Sequence, residues 1–458
     1  MAYSALIPFA ILFIAFAGLR LPLTYSSFIS LLVTTLLSQT IFHASPEVWN
    51  QAIGKALQMM FEVGLILLGA FFFLEAAKKS GVIDSLARLV RSISPDRAIQ
   101  AVLVTFPLSL MVEGSSGFGT PLLVIAPILL ALDFKIELCA LLPFVSFIVG
   151  IPYGALGTPT RLGFPGANPT EGTFLALTPF IFLTPILTLT LVSGRPSGKT
   201  LVWSLCLSLV YFFSGREFSH SGPELSALGP AFVTFAFGIA SARIAFRNTN
   251  DSSGIDLKGL GIYGLLLSSM WLGKKLLMDQ LIPGTAIRIF NPGYVFLIFG
   301  TLLVLLHRNL SMKRILKDTR ERSKRTLLVL FCMTFIVQQL RANGSLELLT
   351  RSLPTLLLSE GTPFLGWIGS IFIGNSTMAN LLLSKVVDPV HYVQIAAGSA
   401  IGVQLSFQSV VAMKSILHDR LSEKRIFLLI APLSLSFLLI LWVSLKLLLG
   451  VAHLSADS

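Results

Sequence analysis

Residues 98–133 constrain the fold more than any other stretch. An almost wholly apolar run (98–112) leads to Glu113-Gly114-Ser115-Ser116-Gly117-Phe118-Gly119-Thr120-Pro121, and a second run (121–132) leaves it. A continuous membrane span needs about 20 apolar residues, and neither run reaches that alone. Between them lie a carboxylate, two serines and three glycines, which make a poor helix and are costly in lipid. Irregular backbone at membrane depth persists only where protein buries it or it lines a cavity. Paired half-helices ending at such a knot are a common way to build a midplane binding site.

Composition sets the medium. Of 458 residues, 54% are hydrophobic and 12% charged, against roughly 25% charged in soluble domains. The expectation is an all-α polytopic membrane protein of about 11–14 transmembrane helices, some broken or re-entrant, with an architecture that recurs in its two halves. The net charge of +12 does not point to nucleic acid. Its bases sit in short loops between apolar runs, where the positive-inside rule and anionic membrane lipid account for them. Cys139, Cys206 and Cys332 are far apart in apolar runs and read as packing residues, and the six histidines show no ligand spacing. No metal, no cofactor and no enzyme is expected. Residues 5–19 read as a retained first span, since no basic n-region precedes them.

Along the chain, residues 1–245 read as an N-terminal transmembrane half holding a first broken-helix region at 98–160. Residues 246–325 read as central spans and a basic cytoplasmic linker, and 326–458 as a C-terminal half with a second broken region at 363–413. The loop 78–97 carries five bases and has an amphipathic, interfacial pattern over 87–90. Residues 307–325 are the most basic segment and read as the cytoplasmic linker. Each broken region holds two knots. In the first they are 113–121 and Ile151-Pro152-Tyr153-Gly154-Ala155-Leu156-Gly157-Thr158-Pro159. In the second they are Gly374-Asn375-Ser376-Thr377-Met378-Ala379-Asn380 and the polar end of 395–409.

Glu113 is the candidate proton-coupling residue. A carboxylate at a helix centre costs about 2.5–3.5 kcal/mol on insertion scales, so its presence needs a reason. Exclusion from water favours the neutral form, which suits a group that must gain and lose a proton. Gly114, Gly117 and Gly119 let backbone amides approach a ligand, and Ser115, Ser116 and Thr120 add hydroxyls. If Pro121 opens a half-helix, its N-terminal end aims free N–H groups at the knot. Gly154, Gly157, Asn375, Ser376, Thr377, Asn380, Gln408 and Ser409 complete the candidate substrate-binding set. Gln404 could face the same ligand. Arg161 could pair with a carboxylate or mark the membrane surface, and Lys385 reads as snorkelling to an interface.

Ser94-Pro95-Asp96-Arg97, the helix after it and the nine residues 113–121 resemble the L-lactate permease family, whose own element reads E-G-A-A-G-F-G-T-P. Gly154-Ala155-Leu156-Gly157-Thr158-Pro159 resembles the family's G-A-x-G-I-P. Gly222-Pro223-Glu224-Leu225, Gly366-Trp367-Ile368-Gly369, residues 374–380, Gly402-Val403 and Gln408-Ser409 follow in the family's order. The resemblance covers most of 60–420. It implies two inverted structural repeats and proton-coupled symport of L-lactate or a related 2-hydroxy monocarboxylate such as glycolate across the cytoplasmic (inner) membrane. The partners would be that small organic anion, a proton and membrane lipid, with a homo-oligomer compatible.

The departures fall mainly in the second half. The family's G-S-D-T-S-S-N stands here as residues 374–380, with Ser376 in place of the Asp. The T-G-K-M-I-S-P-Q-S run is shortened to 404–409 and lacks the Lys. Phe147 and Ile148 replace an Asn-Thr pair, and Gly398-Ser399 another. A paired loss of Lys and Asp avoids an orphaned charge in the membrane. Two alternatives therefore stay open: a symporter of another small anion, including a sodium-coupled one using Asn375, Thr377 and Asn380, and a non-transporting membrane sensor derived from a permease.

Overall fold

The computed structural model describes residues 2–19, 21–117, 119–164, 166–246, 258–277, 280, 289–307, 309–352, 354, 358, 360–384, 387–417 and 420–456. Among them the structure is helical, without a strand. Seven helices are long and apolar enough to cross a membrane, or eight if the pair Thr170–Ala176 and Thr178–Ser193, bent by 43°, forms one span. Four more apolar helices are only 10–17 residues long: Ser4–Phe16, Thr120–Ala131, Pro292–Leu306 and Thr362–Ile373. The 11–14 spans expected from length are reached only if these short and broken helices are counted as well.

Local chemistry sets where helices begin. Ser45 accepts from the Val48 amide, with Pro46 opening Pro46–Lys79. Asp96 Oδ1 accepts from the Ala98 amide at 2.8 Å, and Asn291 Oδ1 from Gly293 at 2.8 Å ahead of Pro292. An oxygen-bearing cap with proline in the first turn satisfies or removes donors that would otherwise be orphaned. Several helices extend beyond the apolar runs. Pro46–Lys79 starts well before the run at 56–77, and Gly198–His220 extends the run at 201–213 at both ends.

The basic linker expected at 307–325 is helical from Met312 onward and continues without a break to Ala342. Ser311 caps it, and Lys317 faces Glu321 one turn on at 3.9 Å. Lys, Arg and Leu are good helix formers, so a charged run can extend an apolar helix beyond its apolar stretch. The amphipathic segment after the 46–79 helix is likewise a full helix, Val82–Ile93, whose apolar face is buried. The polar stretch 247–257 and Lys385 lie outside the described residues.

Pro46–Lys79 packs against Met312–Ala342 and Pro292–Leu306, and Leu23–Thr40 also lies on Met312–Ala342. Thr362–Ile373 crosses Tyr392–Gln404 through small residues. A Cβ on Gly366 would stand 2.5 Å from the Ile395 carbonyl oxygen. Such crossings bring backbones together where lipid supplies no hydrophobic drive between helices.

Four helices are interrupted. The first break, 117–119, separates Ser109–Ser116 from Thr120–Ala131. The second, 155–157, lies inside Gly154–Gly163, the continuation of Ile136–Gly150. The third, 374–375, separates Thr362–Ile373 from Ser376–Leu383. The fourth, 405–406, separates Tyr392–Gln404 from Phe407–Ile416. Thr120–Ala131 packs on Phe407–Ile416, while Ser376–Leu383 packs on Gly154–Gly163. The half-helix leaving the first break of one region thus meets the half-helix leaving the second break of the other. That crossed pairing is what two oppositely oriented repeats would produce.

The far end of Thr120–Ala131 gives the depth of the breaks. Arg91 donates to the Ala131 carbonyl at 2.6 Å, and Arg97 to those of Leu132 and Asp133 at 2.7 and 2.8 Å. Twelve residues at about 1.5 Å each make about 18 Å, a little over half of a bilayer core of about 30 Å. The first break therefore lies near mid-membrane when these arginines are at the surface.

Candidate functional site

All four breaks line one cavity. Each contributes the end of its incoming helix and the start of its outgoing one: Glu113 with Gly117 and Gly119, Ile151 with Thr158 and Pro159, Gly374 with Asn375, Ser376 and Thr377, and Val403 with Gln408 and Ser409. Leu67, Leu122, Gly154, Ala155 and Ala412 complete the wall. The cavity is narrow, with a volume of about 30 Å³. A ligand held here is small.

Glu113 is 3% exposed, and its Oε2 has no hydrogen-bond partner among the described residues. Nearly two turns earlier Pro107 removes a backbone donor, and the helix widens to π geometry over Val104–Leu108. The carboxyl is held in close quarters. A Cβ on Gly154 would stand 2.5 Å from Glu113 Oε1, and one on Gly117 would stand 2.8 Å from the Ala155 Cβ. Gly117 also has φ 62° and ψ −160°, a conformation essentially restricted to glycine. The first two breaks therefore interlock around the Glu113 side chain.

The second break is strained. Ala155 and Leu156 have φ of 48° and 52°, followed by Gly157 at 74°. Left-handed backbone costs about 1–2 kcal/mol at each non-glycine residue. Thr158 Oγ1 donates to the Ala155 carbonyl at 2.7 Å, and Thr160 Oγ1 to that of Pro152 at 2.6 Å. Gly157 lies against Pro223, where a Cβ would stand 2.6 Å from the proline Cβ, and Gly114 lies against Leu228. The Gly222-Pro223-Glu224-Leu225 segment and the start of Leu228–Phe246 thus brace the two breaks from behind.

On the opposite wall, Asn375 Oδ1 accepts from the Thr377 amide at 2.8 Å and caps Ser376–Leu383. Ser406 caps Phe407–Ile416 by accepting from the Ser409 amide at 3.2 Å, and Ser409 Oγ donates to the Val403 carbonyl at 3.0 Å. The Gln408 carboxamide lies against Gly374. Thr377 lines the cavity, and its buried Oγ1 has no partner among the described residues. The fully buried Asn380 donates to the Pro159 carbonyl at 3.2 Å while its Oδ1 stays unpartnered, and Gln404 donates to the Phe144 carbonyl at 2.6 Å. These two bonds tie the second broken region to the first.

Of the residues expected at the site, Glu113, Gly117, Gly119, Gly154, Asn375, Ser376, Thr377, Gln408 and Ser409 share the cavity. Gly114 and Gly157 instead serve backbone packing. Thr120 donates to the Gly117 carbonyl at 2.9 Å, so its hydroxyl shapes the break, and Asn380 joins the two regions. The side chains of Ser115 and Ser116 and the whole of Phe118 lie outside the described residues. Arg161 is half-buried in Gly154–Gly163 and is not among the lining residues. Leu67, Thr158 and Ala412 were not expected. Leu67 sits in a uniformly apolar helix, so only the packing reveals that it reaches the cavity.

The cavity therefore receives the N-terminal ends of Thr120–Ala131, Ser376–Leu383 and Phe407–Ile416, together with the C-terminal ends of the helices before them. N-terminal ends favour an anion, and C-terminal ends and a carboxyl favour a cation. A small cavity walled by four helix breaks, with half-helix ends directed at it, is the arrangement of a membrane transporter of the secondary type. The L-lactate permease family model matches residues 2–250, and the chain belongs to that family, as a multi-pass integral protein of the inner membrane. It is 24% identical over 428 residues to a putative L-lactate permease of Haemophilus influenzae, covering 77% of this chain and 80% of that one. It is 27% identical over 241 residues to the glycolate permease GlcA of Escherichia coli, covering 51% of this chain and 43% of that one. The solved YdaH transporter of Alcanivorax borkumensis aligns over 88% of both chains at 16% identity, with a TM-score of 0.35, too distant to inform the fold.

Proposed function

We propose that the protein is a proton-coupled symporter of L-lactate or a related 2-hydroxy monocarboxylate such as glycolate, with Glu113 as the proton acceptor. The observation that carries this reading is the unpartnered Glu113 Oε2 inside a cavity that three half-helix N-terminal ends also face. The permease names of the relatives supply the substrate class.

The coupling follows from charge. Helix N-terminal ends and the Thr377 hydroxyl offer donors to a carboxylate. An ionised Glu113 in the same narrow space would repel it, at a cost raised by the low dielectric. Anion and proton therefore bind best together, and by linkage each raises the affinity for the other. With the proton on Glu113 the loaded site is one net charge less negative and crosses more cheaply.

Sodium coupling is the competing reading, favoured by the unpartnered neutral oxygens Thr377 Oγ1 and Asn380 Oδ1. Uptake into proteoliposomes separates the two. Labelled lactate, glycolate, pyruvate and a dicarboxylate are offered at two external pH values, with and without sodium. The proposal expects lactate or glycolate uptake that rises as external pH falls and ignores sodium. Uptake that requires sodium and ignores pH would replace the proton with the metal ion.

A further inference from the structure

A second, larger opening is lined by none of the residues that line the transport cavity. It is a groove of about 520 Å³ between Pro46–Lys79, Pro292–Leu306 and Met312–Ala342. Its walls are apolar along Leu68, Phe72, Leu328 and Phe331, while Arg320 and Lys324 stand at one end. The two cations are one helical turn apart on one face and both are exposed. The hydroxyl-bearing residues Thr319 and Ser323 lie beside them in the same wall.

The level of the groove in the membrane follows from its neighbours. Lys79, at the end of its helix, is paired with Asp318, which sets the basic end at the bilayer surface. From Arg320 to Phe331 the helix advances eleven residues, about 16 Å, matching the depth of one leaflet at about 15 Å. The groove therefore offers charge at headgroup height and hydrocarbon contacts down to the leaflet's end. An extended peptide would leave its backbone groups unsatisfied along such a wall, and a second copy of the chain would bring a second set of cations against the first.

We propose that this groove is a binding site for one anionic phospholipid, its phosphate on Arg320 and Lys324 and an acyl chain along Phe72, Leu328 and Phe331. The lipid would fix the basic start of Met312–Ala342 against Pro46–Lys79, the helix that also supplies Leu67 to the transport cavity. The site is independent of the transported substrate.

The test uses the full-length protein purified in detergent, with dioleoyl phosphatidylglycerol and dioleoyl phosphatidylcholine titrated and bound lipid counted by native mass spectrometry. Wild type should retain one phosphatidylglycerol in preference to phosphatidylcholine. Each base near an anionic lipid contributes about 1 kcal/mol, so the pair Arg320→Gln with Lys324→Gln should weaken that binding about thirty-fold. The pair Lys313→Gln with Arg314→Gln removes the same charge from the same helix outside the groove and should change it less than about threefold. Leu328→Trp, which fills the groove, should lower binding of the lipid with both bases intact. Equal retention of the two lipids, equal losses in the two double variants, or undiminished binding in Leu328→Trp would each overturn the proposal.

Discussion

At the scale of single residues, the site is a set of polar atoms left open by their neighbours. Thr377 and Glu113 line the cavity, and Thr377 Oγ1 and Glu113 Oε2 have no partners among the described residues, whereas the hydroxyls of Thr158 and Ser409 in the same wall donate to backbone carbonyls. A hydrogen bond to a charged ligand is worth about 1.5–3 kcal/mol, so Thr377→Val should raise the KM for lactate about ten- to a hundredfold with the melting temperature unchanged. Concentration-dependent uptake checks this, and an unchanged KM would remove Thr377 from the binding wall. Gly154→Ala would place a methyl 2.5 Å from Glu113 Oε1. Overpacking of this kind costs about 1–3 kcal/mol. The variant should lose uptake and melt earlier, and wild-type uptake would show that the carboxyl is not confined.

At the scale of elements, the breaks do what the glycines and prolines of the sequence announce, but in unequal ways. The first break was readable in detail, because a carboxylate between two half-length apolar runs has few places to go. The left-handed turn at Ala155 and Leu156 was not, since neither residue advertises positive φ. Ala155→Gly should relieve that strain and stabilise the fold by about 1 kcal/mol, read as a higher melting temperature. A lower one would show that the methyl packing against Gly117 outweighs the strain. Thr120 and Asn380 were expected at the ligand because polar residues in an apolar run look functional. The structure uses them to close a turn and to tie two helices. Nothing local separates those uses, because both answer the same need to satisfy a polar group in lipid.

At the scale of the whole molecule, two broken regions more than 200 residues apart in sequence converge on one cavity. Their order in the chain was apparent, as was the clustering of bases between the apolar runs. Which half-helix meets which was not apparent, because helix pairing in lipid depends on small residues spread over several elements. The same spread explains Leu67, which enters the cavity from a helix outside both regions. Convergence is what the proposed function requires of Glu113: an acidic group lining a cavity to which both regions contribute would, on that proposal, couple a proton to the anion the helix ends hold. The most direct test is lactate-driven proton entry into proteoliposomes loaded with a pH indicator, comparing wild type with Glu113→Gln. Wild type should acidify its lumen when lactate is added outside. The variant should exchange lactate across the membrane without moving protons, and acidification at the wild-type rate in Glu113→Gln would contradict the account.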